Sequence, residues 1–257
     1  MKKKQFKTIK IEIADSIATV TIIRPEVHNA FNDVMILEMI DAFESLGKDD
    51  SVRIIVLTGE GRSFCAGADI AWMQKMQGYS YEENIEDAEK IFDMMYIIDQ
   101  CPKPVIARVN GGAMGGGTGL ISACDISVAS DRAKFMLSNT KYGLFPACIS
   151  PFLVRRIGKG NARNYFLTGE VFDADTALKI GLVNEVTIPD ELDRAVKRYI
   201  DKFMNAGPET LRMCKELIHH ADPVDENERA YHAKVIADMR MSEEGKKGFA
   251  AFFEKRK

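Results

Sequence analysis

Two glycine-rich stretches carry the residues whose types and spacing could do chemistry. The first runs Gly59-Glu60-Gly61-Arg62-Ser63-Phe64-Cys65-Ala66-Gly67-Ala68-Asp69-Ile70, between an apolar run and a helical stretch. Its small residues at 66–68 let the backbone approach a ligand closely. Free N–H groups at a helix start can receive an anion or a developing oxyanion. A tight strand-to-helix turn with no ligand accounts for the same letters. The second runs Asn110-Gly111-Gly112-Ala113-Met114-Gly115-Gly116-Gly117-Thr118-Gly119. No Gly-Lys-Ser/Thr ends it, so it is not a P-loop, and no acidic residue closes a following strand at the dinucleotide spacing. Close helix–strand packing is its plain reading, yet glycines are costly inside helices and need a reason. Together the two turns say more than either alone. They leave consecutive parallel strands, so they can lie side by side at one sheet edge. Two glycine-cornered helix N-termini can then point one N–H each at a single oxygen, a geometry that stabilises a thioester enolate.

The elements that must position these turns follow from periodicity. Residues 7–13 and 17–23 alternate apolar and polar around Asp15-Ser16 and predict a hairpin. Asn32 offers an N-cap, and Val34, Leu37, Ile40, Ala42 and Phe43 approximate a helical stripe. Residues 52–57, 105–109 and 125–129 predict strands, the first two of them buried. Ser80 with Glu83 forms a capping box opening a helix over 81–100, which Cys101-Pro102-Lys103-Pro104 stops. Alternating strands and helices argue a mostly parallel sheet with crossover helices. Residues 190–205, 208–220, 224–240 and 242–255 predict helices, packed on the core or on a neighbouring subunit. The division is therefore 1–189 and 190–257, an α/β core followed by a helical region.

Composition narrows the function classes. The chain has 257 residues, enough to bury one sizeable core, and a net charge of −3. With a pI near 5.9, bulk electrostatics do not favour nucleic acid. The terminal Lys2-Lys3-Lys4 and Lys255-Arg256-Lys257 read as solvated tails. Five scattered cysteines without a CxxC, and four histidines, argue against both a disulfide framework and a metal site. No apolar run suits a signal peptide or a bilayer span. A cytoplasmic protein is expected, with neither metal nor membrane partner.

At this point the chain resembles the crotonase (enoyl-CoA hydratase/isomerase) superfamily over essentially its whole length. The marks are Arg24-Pro25-Glu26-Val27-His28-Asn29-Ala30-Phe31, Phe64 to Ile70, Lys103 to Ala107, Gly115 to Gly117, Cys124-Asp125-Ile126, Gly143 with Pro146, Leu167-Thr168-Gly169, Ala177 with Gly181-Leu182-Val183, and Phe252 to Arg256. The resemblance implies a core of repeated ββα units with C-terminal helices used in trimer assembly, as homotrimers or dimers of trimers. It implies an acyl-CoA thioester as ligand, with coenzyme A as part of the substrate and no further cofactor, in fatty acid or amino acid catabolism. The Ala68 and Gly116 N–H groups would form the oxyanion hole. CoA would lie along Val27, His28 and Ala30 and along Ala66, Asp69 and Ile70, with Phe252 and Lys255 at its adenosine phosphate end. Segments such as Ala68 to Gln74, Ser80 to Asn84 and Pro146 to Pro151 look most like the methylglutaconyl-CoA hydratase branch.

The pattern departs where the reaction needs protons. Hydratases of this family hold water between two glutamates, and here Gly119 and Asn139 stand at those places. An amide can orient water but is no base near neutral pH. Lys141, Tyr142 and Cys148 are nearby alternatives, each equally explained by solvation or packing. Three readings stay open: a hydratase, an enolate-forming acyl-CoA enzyme such as a decarboxylase, or a CoA-thioester binder with little activity. Met73, Met76, Met94, Met95, Met114 and Phe92 could line the acyl pocket or be plain core, and Arg108 could meet a second carboxylate.

Overall fold

The computed structural model describes residues 6–221 and 227–254. An antiparallel hairpin, β1 (Ile9–Ala14) and β2 (Ile17–Ile22), opens the chain, with Asp15 and Ser16 at the turn in left-handed conformation. Helix α1 (Asp33–Lys48) starts where Asn32 Oδ1 accepts the Met35 N–H at 3.0 Å. The stripe expected from Val34 and Leu37 is corrected, because these two are 39% and 54% exposed. The buried face is Met35, Ile36, Met39, Ala42, Phe43 and Leu46. Methionine is flexible enough to fill the irregular space under the sheet, which rotates the buried face away from Val34.

Three ββα units follow. The first is β3 (Ile54–Gly59), β4 (Ser63–Cys65) and α2 (Ile70–Met76), after which α3 (Tyr81–Asp99) crosses back. The second is β5 (Val105–Val109), β6 (Gly112–Met114) and α4 (Gly116–Ala123). The third is β7 (Ile126–Ser130), β8 (Lys134–Met136) and α5 (Ser150–Thr168). Then come β9 (Phe172–Asp173), α6 (Ala174–Lys179) and β10 (Glu185–Thr187). The main sheet has the order β1-β2-β3-β5-β7-β10 and is parallel from β2 onward. A second sheet, β4-β6-β8-β9, lies where periodicity alone predicts direct strand-to-helix turns. Its strands are two or three residues long, too short to show a period of two. All six residues of β3 are buried, the mark of a strand covered on both faces.

One sheet face packs into the main core with α1, α3, α4 and α5. On the other, Ile54, Val56, Ile106 and Val128 are covered by Leu192, Ala195 and Val196 of α7 (Leu192–Met204). Helices α8 (Pro208–Ala221), α9 (Asn227–Met241) and α10 (Glu243–Glu254) complete the chain. Helix α9 lies along α3 of the same chain, joined by Tyr81 Oη to Asp238 at 2.8 Å and Arg229 to Asp93 at 2.9 Å. Helix α10 crosses the Tyr142-Gly143 backbone at Gly248, where there is no room for a Cβ. The Phe252 side chain and Lys255 lie outside the described residues. Among the described residues, no helix is long and apolar enough to cross a membrane.

Candidate functional site

The two glycine turns meet. Strand β4 pairs in parallel with β6, which brings the chain after Cys65 beside the chain after Met114. Gly67 takes φ +84°, and a Cβ there would stand 2.7 Å from the Met114 carbonyl oxygen and 3.5 Å from the Gly116 nitrogen. Gly115 takes φ +49° and turns the chain into α4, with its own N–H donating to Met136 O at 2.7 Å. Only glycine holds both conformations without strain.

A third strand of chain fixes the first turn. Residues 28–31 run beside it: Ala66 N–H donates to His28 O (3.0 Å), Phe31 N–H to Gly67 O (2.8 Å) and Asp69 N–H to Phe31 O (2.9 Å). Buried Asn29 anchors that segment. Its Nδ2 donates to the Glu60 and Ser63 carbonyls, and its Oδ1 accepts the Arg24 N–H. Asp69 caps α2 through the Ala71 and Trp72 N–H groups and pairs with Arg24 at 2.7 Å; Arg24 also donates to the Ala30 carbonyl. These bonds leave two amides over. Among the described residues, neither the Ala68 N–H nor the Gly116 N–H donates to protein.

Both residues line a cavity of about 710 Å³. Val27, His28, Ala30, Ala66, Ala68, Asp69, Ile70, Gly116 and Asn139 all line it. So do Met73, Met76 and Met114, whereas Met94, Met95 and Phe92 are plain core. Arg108 lies outside, paired with Asp193 at 2.6 Å. His28 is bonded to Ser63 Oγ through Nδ1 and to Arg62 through Nε2.

The opposite wall is different. Gly119, at the place of the first family glutamate, does not itself line the cavity. A Cβ there would meet Ile149 Cγ2 at 2.5 Å and Met95 Cε at 3.3 Å, so apolar side chains fill the space. Asn139 does line it. Its backbone pairs with Leu144, and its side-chain amide has no partner among the described residues. Tyr142 is not at the wall, and the Lys141 side chain lies outside the described residues. Cys148 is at the wall, but burial pushes its thiol up to about 12, so it stays protonated near neutrality. Asp69, the carboxylate beside the Ala68 turn, is held by Arg24 and by its helix cap. Sequence reasoning missed Arg24, Arg240, Ile149 and Phe249 at or beside the site. Arg24 and Ile149 were visible only within motifs, and Arg240 and Phe249 reach the cavity only through tertiary packing. Among the described residues, no group of His, Cys, Asp and Glu could hold a metal.

Two adjacent free amides at the N-terminal side of α4 suit a carbonyl oxygen gaining negative charge. Comparison with known proteins gives the family. The family model for enoyl-CoA hydratase/isomerase matches residues 12–257. A crotonyl-CoA hydratase from Syntrophomonas wolfei is 34% identical over 255 residues, covering 98% of this chain and 97% of that protein. The crystal structure of an enoyl-CoA hydratase from Shewanella pealeana has a TM-score of 0.82 at 38% identity, covering 98% of this chain and 95% of its own. That of an enoyl-CoA hydratase from Bacillus halodurans has a TM-score of 0.89 at 25% identity, covering 95% and 100%. With the paired turns, the ββα units and these likenesses all agreeing, the chain belongs to the enoyl-CoA hydratase/isomerase (crotonase) family.

Proposed function

We propose that this protein hydrates a 2-enoyl-CoA thioester, with 3-methylglutaconyl-CoA as the first substrate to try. The observation that carries this reading is that Ala68 and Gly116, whose N–H groups have no partner among the described residues, line one largely apolar cavity. The thioester oxygen sits on these two donors, and CoA runs along Val27–Ala30 and Ala66–Ile70 towards Phe252 and Lys255. When water attacks the β-carbon, the negative charge moves onto that oxygen. Fixed donors in a water-poor site stabilise this charge more than bulk water does. Asn139 holds the water through its side-chain amide. Hydroxide ends on the β-carbon and the proton on the α-carbon, so one water is consumed and nothing is released. Because Asn139 cannot carry the proton, water must relay it, and slow turnover is expected. The 190–257 helices take part in a homotrimer or a dimer of trimers.

A second reading rests on the filled space beside Gly119. Loss of CO₂ from a 2-carboxyacyl-CoA gives the same enolate with no base, and water then protonates the α-carbon. One experiment separates the two. Purified protein is given crotonyl-CoA and 3-methylglutaconyl-CoA, and loss of the conjugated-thioester absorbance is followed. Malonyl- and methylmalonyl-CoA are tested in parallel for CO₂ release. Hydration is the expected result. CO₂ release alone replaces the first reading with the second. Tight thioester binding with neither reaction leaves a CoA-thioester binder.

A further inference from the structure

Beyond the oxyanion turns, the cavity holds a cation that the proposed chemistry does not use. Arg240 of α9 lines it, among Met73, Met76, Ile91 and Phe249. Its side chain is only 11% exposed. A guanidinium taken out of water needs partners for its donors. Among the described residues only Nη1 is engaged, to Asp87 Oδ2 at 3.3 Å and to Asn84 Oδ1 at 3.4 Å, both long contacts. Nε is fully buried with no partner among the described residues. A second cavity of about 310 Å³ shares Met73, Met76, Arg240 and Phe249 with the first. Arg240 thus stands at the junction between them. Neither Ala68 nor Gly116 lines the second cavity, so it extends the site away from the thioester end. Lys246 lines it too, and no acidic residue does among those described.

We propose that Arg240 is a specificity-determining residue that selects acyl groups ending in a carboxylate, held at this junction with Lys246 beside it. The proposal rests on the reading that the cavity takes an acyl-CoA. A terminal carboxylate would accept from the idle Arg240 donors, which a methyl terminus would leave unpaired in an apolar wall. Asp87 would remain as the counter-ion behind the guanidinium, bridging through Nη1.

Saturated thioesters test this without depending on turnover. Affinities of the full-length protein for glutaryl-CoA and pentanoyl-CoA, equal in carbon number and different only at the terminus, are measured by calorimetry. The native protein is expected to bind glutaryl-CoA at least about tenfold more tightly. Arg240→Met should abolish that preference while leaving pentanoyl-CoA within about threefold. Lys246→Met, at a 55% exposed side chain that puts folding at no risk, should lower glutaryl-CoA affinity about two- to fivefold and spare pentanoyl-CoA. Equal native affinities, or an equal loss of both ligands in Arg240→Met, overturn the proposal and leave the acyl-CoA reading intact. If Arg240→Met does not fold, the native preference and Lys246→Met decide: no preference, or no selective loss, sinks it. Binding of neither thioester removes the acyl-CoA reading and this proposal with it.

Discussion

On one side of the cavity two amides are set by backbone; on the other, the Asn139 side-chain amide and apolar Ile149 occupy the wall that a pair of carboxylates would need. The Ala68–Gly116 side is held by at least three segments: the 28–31 strand, the β4–β6 pairing and the Arg24–Asp69 ion pair. The Asn139 side is a loop anchored mainly at Leu144 and roofed by α10 at Gly248. Enolate stabilisation needs only backbone placed correctly, so it survives replacement of side chains around it. Proton transfer needs particular side chains, and one substitution removes it.

The largest effect expected from this contrast is a gain. Asn139→Glu restores an ionisable group at a position that lines the cavity, and hydration should rise about 10²- to 10⁴-fold, the usual share of general acid–base catalysis. Gly119→Glu should give no gain, because its side chain would be driven into Ile149 and Met95. Overpacking should cost it about 1–3 kcal/mol in stability. Rates and denaturant midpoints of both variants decide this. A flat rate in Asn139→Glu would show that the other wall, not this one, limits the reaction.

On the backbone side the expected effect is a loss. Gly67→Ala combines φ +84° with a Cβ 2.7 Å from the Met114 carbonyl oxygen, so the turn must shift and the Ala68 N–H with it. Displacing one oxyanion donor should lower kcat about 10²- to 10³-fold. Stopped reactions with saturating substrate would read it. A large rise in KM with kcat unchanged would instead place this turn in ground-state binding only.

Arg24→Met attacks the same side through its support. It strips the partner from Asp69, whose side chain is 9% exposed, and an unpaired buried carboxylate should cost about 3–5 kcal/mol. Urea unfolding would measure this. Arg24→Met with Asp69→Asn should recover part of the loss, since the amide carries no charge but can still accept the Ala71 N–H.

How much of this was legible in the sequence divides along the same line. The paired turns, the Asn32 cap and the Ser80–Glu83 capping box were readable because each is a local pattern with a local cause. The missing carboxylates were readable by alignment to a family pattern. What filled their place was not: Ile149 reaches Gly119 only because α5 begins where it does, and no short-range periodicity encodes that. The buried face of α1 was misplaced because methionines weigh little in a stripe yet fill this core. Arg240 reaches the cavity only because α9 lies along α3, a packing no local pattern encodes.

The smallest expected effect concerns Cys148, the cysteine that lines the cavity among the described residues. Its Sγ donates to the Ala88 carbonyl at 3.4 Å, and burial is the first cause raising its pKa to about 12. A base must lose its proton near the working pH, and a thiol raised that far stays neutral between pH 6 and 9 to about one part in a thousand or better. Cys148→Ala should therefore change hydration less than about twofold and leave its pH profile superimposable, at a stability cost of about 1 kcal/mol for the lost packing. The thiol should also resist iodoacetamide in the folded protein, while exposed Cys214 reacts. The sign for stability runs the same way. A folded pKa above the unfolded one favours the folded state below about pH 8.5, and that advantage fades as pH climbs towards 12. An alkaline limb of activity that vanished in Cys148→Ala would make this thiol the proton carrier, and the two walls of the cavity would then differ less than their chemistry indicates.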